Sequence, residues 1–269
     1  MKKYLVLATS ILLVALMLIG CGIAPSTPTS APENPTGNNG GTPTEETNAA
    51  PTGPVPTETE DDVEYEGDAT SYYIDMVYPE QIDRYYNALF QQWDAETYME
   101  NDMSAMAAYY YDGNPLDNVG FTFMDLDGDG IWELIIGAIL NAERDPLIFE
   151  IWGLKDDEPV LLAQSNSGNR YYLQYAQEDN LWSVAYEAEN GAANFAVYYL
   201  QLVNGEFEVI QGVIFDAMAD EKNPWFMAYD LDWDTSNDTP IDEETANAVR
   251  NAGRDIYTAT EYFPYCLYK

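Results

Sequence analysis

The feature that most restricts the fold is a series of closely spaced turn signals in the second half of the chain. Asn190-Gly191 and Asn204-Gly205 are two of them, and each separates short runs rich in apolar and aromatic residues. An Asn-Gly pair between two such runs favours a type I′ hairpin, and connections this short join antiparallel neighbours. We therefore predict an antiparallel meander of about seven to eight strands between residues 120 and 215.

Helical patterns lie on both sides of these strands. Apolar residues recur at helical spacing between residues 79 and 111, which predicts N-terminal helices. Near the other end, Thr239 can cap a helix whose first turn contains Pro240. Helices first, strands after them and one C-terminal helix at the end predict an α+β fold.

The N-terminus carries an export signal. An apolar run of residues 4–19 follows two lysines and ends in Leu-Ile-Gly-Cys, whose cysteine is Cys21. This ending resembles the lipobox of bacterial lipoproteins. The resemblance implies that residues 1–20 are removed as a signal peptide. It also implies that lipidated Cys21 anchors the protein at the extracytoplasmic face of the cell membrane. An uncleaved signal anchor is the alternative.

Composition divides the rest of the chain into two parts. Residues 21–62 are rich in Pro, Thr, Ser and Gly and have almost no large apolar side chains, which predicts a disordered tether. Residues 63–269 are long enough for a single domain with its own core. The chain has a formal net charge of −37. That charge argues against nucleic acid as a partner and favours cations.

One acidic loop has the spacing of a calcium site. Asp125, Asp127, Asp129 and Glu133 occupy positions 1, 3, 5 and 9, and Ile131 at position 7 can offer its carbonyl. Calcium takes six to eight oxygen ligands, which alternate residues of a tight loop can supply. Position 12 is not the glutamate of an EF-hand, and the flanking residues look like strands. We therefore expect a calcium-binding hairpin, with a metal-free acidic turn as the alternative.

The same stretch, residues 121–137, resembles the FG-GAP repeat of integrin-type calcium hairpins. The residues that match the pattern of that family are Phe121, Asp125, Asp127, Gly128, Asp129, Gly130, Glu133, Leu134 and Gly137. The resemblance implies Asp125, Asp127, Asp129 and Glu133 as side-chain ligands. The single loop also resembles those of uncharacterised lipoproteins of Gram-positive gut bacteria. One good copy of the repeat argues against a full propeller.

A second acidic loop follows Phe226 at the same distance. Asp230, Asp232, Asp234 and Asp238 take positions 1, 3, 5 and 9, but position 6 is not glycine. The chain after this loop is predicted to enter a helix instead of a strand. Two interpretations are therefore open. The loop binds a second cation, or its acids are solvated and cap the helix that follows.

Two classes of function remain. In the first, calcium supports a non-catalytic module that binds a glycan, a cell-wall fragment or a protein, with strand aromatics as the binding face. Those aromatics, which cross-strand packing would also explain, are Tyr171, Tyr172, Tyr175, Trp182, Tyr186, Tyr198 and Tyr199. The second class is a glycosidase-like extracellular hydrolase that uses a carboxylate pair such as Glu187 and Glu189. The chain has no histidine, which excludes His-based triads and HExxH zinc sites.

Overall fold

Short helices open the part of the chain that the structure describes. The computed structural model describes residues 67–110, 113–139, 146–176, 181–191 and 193–269. The predicted signal peptide, Cys21 and the predicted tether lie outside these residues. The helical elements are α1 (Ala69–Tyr72), a π-helical turn (Tyr73–Val77), α2 (Pro79–Phe90), α3 (Ala95–Glu100), a 3₁₀ helix (Ala105–Tyr110), α4 (Pro115–Asn118) and, between the last two strands, α5 (Glu243–Arg254). Two further 3₁₀ helices are Thr235–Asn237 and Tyr265–Leu267.

The longest N-terminal helix, α2, follows the predicted pattern. Pro79 occupies its first turn, and Ile82, Tyr85 and Leu89 form its buried face. None of the helices in the described ranges is long and apolar enough to span a bilayer.

The strands form one antiparallel sheet, so the predicted α+β class is confirmed. Within the described residues the strands are β1 (Val119–Met124), β2 (Glu133–Ala138), β3 (Leu147–Lys155), β4 (Glu158–Gln164), β5 (Asn169–Ala176), β6 (Leu181–Glu189), β7 (Asn194–Val203), β8 (Glu206–Asp216), β9 (Trp225–Ala228), β10 (Thr239–Pro240) and β11 (Phe263–Pro264). Their order is β10-β9-β8-β7-β6-β5-β3-β2-β1-β11, and β4 pairs only with β3.

Eleven strands exceed the seven to eight that we predicted. The additional strands, β9 to β11, have two to four residues each. Such short segments carry no alternation that would mark them in the sequence. β9 and β10 are strands because each pairs with the strand before it, and β11 is one because it pairs with β1, where Phe263 lies opposite Phe121.

The C-terminal helix is present, but it starts later than predicted. Thr239 and Pro240 form β10, because they pair with Met227 and Phe226 of β9. The helix is capped by Asp242, whose carboxylate accepts a 2.7 Å hydrogen bond from the Thr245 N–H. Strand pairing at Thr239 has therefore overridden the local preference of this residue for capping a helix.

The sheet buries side chains on both faces. Leu134 and Ile136 of β2 pack with α2 in one core cluster, while Ile135 between them belongs to a second cluster on the opposite face. This is the two-residue alternation of a strand. The second cluster extends from Leu126 in the β1–β2 loop across β3, β5 and β6 to Leu202 of β7. The β1–β2 loop and the β7–β8 turn line one cavity although these three strands lie between β2 and β7, so the sheet curves around this cluster.

A buried carboxylate joins the N-terminal helices to the sheet. Glu150 of β3, which is 1% exposed, accepts hydrogen bonds from the Ser104 N–H (2.9 Å), Trp152 Nε1 (2.8 Å) and Gln164 Nε2 (3.1 Å). Ser104 also donates its hydroxyl to the Ser165 carbonyl at 2.6 Å. Burial raises the pKa of Glu150, and these donors oppose the rise. The segment after α3 is thus held on β3 by polar contacts.

Candidate metal centre

The predicted calcium loop connects β1 to β2. Met124 and Glu133 form the pair that closes the hairpin, so strands flank the loop as predicted. Gly128 and Gly130 have φ angles of +79° and +91°. Side chains disfavour this region, so the two glycines allow the chain to turn sharply around one point.

Backbone amides orient the loop carboxylates. The two oxygens of Asp125 accept hydrogen bonds from the N–H groups of Gly128 (2.7 Å) and Gly130 (3.1 Å). Asp127 accepts from the Asp129 N–H at 3.2 Å, and Asp129 accepts from the Ile131 N–H at 2.7 Å. These bonds fix the side chains and offset part of the repulsion between them.

Three of the predicted ligands come together. One oxygen from each of Asp125, Asp127 and Glu133 lies within 4.8 Å of the other two. This is the sole group of three or more converging acidic, histidine or cysteine side chains among the described residues. Such a group can hold a metal ion, and its all-oxygen chemistry suits a hard divalent cation.

Glu133 is the most buried of the three acids. It is 4% exposed, and its Oε2 accepts a 2.8 Å hydrogen bond from the Leu126 N–H. Burial raises the pKa of Glu133 to about 8, and the charges of Asp127 and Asp129 add to the effect. No Lys or Arg side chain of the described residues forms an ion pair with it. A bound cation would supply the charge that this carboxylate lacks.

A cavity of about 250 Å³ lies beside the loop. Asp127, Asp129, Ile131 and Glu133 line one side of it, so the remaining two predicted ligands, Asp129 and Ile131, face the same space as the converging carboxylates. The other walls belong to the β3–β4 hairpin and to the β7–β8 turn; their lining residues are Gly153, Leu154, Leu162, Asn204 and Gly205. The site is thus bordered by distant parts of the sheet.

Two tyrosines hold the end of the loop. The Trp132 N–H donates to the Tyr73 hydroxyl, and the Tyr78 hydroxyl donates to the Trp132 carbonyl, both at 3.0 Å. The rings of Tyr73 and Trp132 stack at 5.2 Å. Sequence reasoning missed both tyrosines, because nothing local in the sequence relates a helical tyrosine to a loop more than fifty residues away.

The second acidic loop has a different arrangement. Its aspartates accept hydrogen bonds from successive amides, and Asp234 caps the 3₁₀ helix Thr235–Asn237. Burial, together with the charges of Asp230, Asp232 and Asp234, raises the pKa of Asp238 to about 6. Its Oδ2 is buried without a hydrogen-bond partner among the described residues. These aspartates do not form a converging group like that of the first loop, and the second cation site stays a prediction.

Most of the predicted aromatic face is part of the core. Tyr172, Tyr198 and Tyr199 are 4%, 1% and 7% exposed. On one face, Tyr171 stacks on Tyr186 at 4.6 Å and Tyr186 on Tyr198 at 5.9 Å across neighbouring strands. The open alternative, ordinary cross-strand packing, therefore explains these rings.

The two carboxylates suggested for a hydrolase have different surroundings. Glu187 forms a 2.9 Å ion pair with Arg254 and accepts a 3.2 Å hydrogen bond from the Tyr257 hydroxyl. Glu189 is exposed at the end of β6. The hydrolase alternative stays a prediction.

No family model matches the chain, and comparisons with curated proteins and with solved structures give no significant match.

Proposed function

We propose that this chain is a membrane-anchored surface lipoprotein whose acidic domain binds one calcium ion in the β1–β2 loop. The observation that carries the calcium site is the convergence of the Asp125, Asp127 and Glu133 oxygens beside a partly open cavity. We infer that the module is non-catalytic and binds a glycan, a cell-wall fragment or a protein. The net charge of −37 supports a cation as partner.

Calcium fits the site better than magnesium does. Its ligands sit at 2.3–2.6 Å in a flexible shell of six to eight oxygens, whereas magnesium demands a tight octahedron and keeps its water. Without the bidentate glutamate of an EF-hand, we expect a dissociation constant on the order of 10⁻⁴ to 10⁻³ M, the range of extracellular modules.

Calcium should stabilise the folded domain more than magnesium does. At 1 mM calcium and a dissociation constant of ~0.1 mM, the gain in unfolding free energy is about 1.4 kcal/mol. For a domain of this size it raises the melting temperature by roughly 3 °C. Differential scanning fluorimetry with each cation measures the difference.

Two matched variants assign that effect to the loop. Asp127→Ala should abolish the calcium-specific rise, because it removes one of the three converging ligands. Asp232→Ala removes the same side chain from the same kind of amide-bonded position in the second loop, and it should retain the rise. Equal responses to calcium and magnesium that survive Asp127→Ala would contradict the site.

The anchor is tested separately from the ion. Cys21→Ser should move the protein from the membrane fraction to the soluble exported or unprocessed pool, since two acyl chains make a stable anchor. Detergent partitioning followed by immunoblotting measures this change. Unchanged partitioning would contradict the lipoprotein assignment and leave the calcium site unaffected.

A further inference from the structure

The cavity beside the metal loop has walls that a simple hairpin site would not have. The loop contributes Asp127, Asp129, Ile131 and Glu133, and the turn between β7 and β8 faces them across the same space. That turn consists of Asn204 and Gly205, whose φ angles of +53° and +77° are those of a type I′ turn. The curvature of the sheet brings the turn to the loop, although three strands separate β7 from β2.

The turn lies beside both the metal loop and the β3–β4 hairpin. Asn204 and Gly205 line the same cavity as Asp127 of the loop and Leu154 of β3. Next to the turn, Lys155 of β3 and Glu206 of β8 form an exposed ion pair at 4.0 Å.

The loop alone leaves the shell of a calcium ion incomplete. Asp125, Asp127 and Glu133 each offer one converging oxygen, and the other two predicted ligands, Asp129 and Ile131, line the same cavity, which makes five. Calcium takes six to eight, and asparagine side-chain carbonyls are among its usual ligands. Asn204 is the one asparagine among the residues that line the cavity.

We propose that the Asn204–Gly205 turn completes the cation site, with the Asn204 side-chain oxygen as a further ligand. The ion then fastens the β7–β8 hairpin to the β1–β2 loop and keeps the sheet curved around its second core cluster. This inference rests on the proposed function, because it requires that the loop binds a cation.

The test is calcium titration calorimetry on the full chain in detergent, so that it does not depend on residues 63–269 folding alone. Asn204→Gly removes the side-chain oxygen and tolerates the positive φ of this position without strain. It should weaken calcium binding roughly tenfold, the lower end of the effect seen when supporting residues of a metal site are lost. Asn190→Gly changes an exposed Asn-Gly pair outside the cavity and should leave the affinity unchanged.

Hydrogen exchange provides a second, local measurement. In the unaltered chain, calcium should slow amide exchange both in residues 126–131 and in residues 203–206. In Asn204→Gly, at calcium concentrations that saturate the variant, protection of 126–131 should persist and protection of 203–206 should decrease.

The outcomes separate this inference from the proposed function. If the unaltered chain binds no calcium, both fail. If it binds calcium but Asn204→Gly binds equally well and residues 203–206 gain no protection, the site is confined to the β1–β2 loop. That result would overturn the inference and leave the proposed calcium site in place.

Discussion

Glu150→Ala is expected to lower the free energy of unfolding by about 3 kcal/mol, since it removes the buried acceptor shared by one buried and two half-buried donors. The donors are the Ser104 N–H, Trp152 Nε1 and Gln164 Nε2, all within 3.1 Å of the carboxylate. Urea denaturation followed by tryptophan fluorescence measures the loss. The urea concentration at the midpoint should fall, and the slope of the unfolding free energy against urea concentration should stay unchanged.

Glu158→Ala is the matched control for this prediction. Glu158 is exposed at the start of β4 and close in sequence to Glu150. Its replacement should alter the unfolding free energy by no more than about 0.5 kcal/mol. If the two variants lost equal stability, Glu150 would not be the link between the N-terminal helices and the sheet.

Calcium is expected to bind roughly fifty-fold more weakly at pH 6 than at pH 8, because the ion must displace a proton from Glu133. Burial raises the pKa of this carboxyl to about 8, so it is almost fully protonated at pH 6 in the metal-free protein. Isothermal titration calorimetry at pH 6, 7 and 8 measures the affinity. Buffers of different ionisation enthalpy measure the proton released.

In the metal-free protein, the contribution of Glu133 to the free energy of unfolding should fall as the pH rises, whereas calcium affinity rises. Glu133 has a higher pKa in the folded chain than in the unfolded chain, so the folded state binds more protons between the two values. Its contribution to stability is complete below the unfolded pKa and is lost as the pH rises through about 8. Calcium should restore stability at the upper end of this range. An affinity that does not change between pH 6 and pH 8 would contradict the role of Glu133.

Local patterns predicted the parts of the fold that local chemistry decides. The alternating strands, the face of α2 and the Asn204-Gly205 hairpin follow from side-chain period and from the need for positive φ. The loop positions of Asp125, Asp127 and Glu133 follow from calcium geometry in the same way. Each of these features can be predicted from a short stretch of sequence.

Long-range contacts account for what the sequence could not predict. Thr239 carries a capping signal, yet pairing with β9 places it in a strand. Glu150 stands in an apolar run, and its donors come from other segments of the chain. The cavity wall at Asn204 depends on the curvature of the whole sheet. None of these partners lies within a window that a periodicity or a motif covers.

The most direct test of the calcium site is a crystal structure of the domain grown with millimolar calcium. We expect an anomalous scattering peak between Asp125, Asp127 and Glu133, with carboxylate oxygens of all three at 2.3–2.6 Å from the ion. Crystals soaked in a calcium chelator should lose the peak. Absence of anomalous density at these three carboxylates, in crystals that contain saturating calcium, would contradict the calcium site.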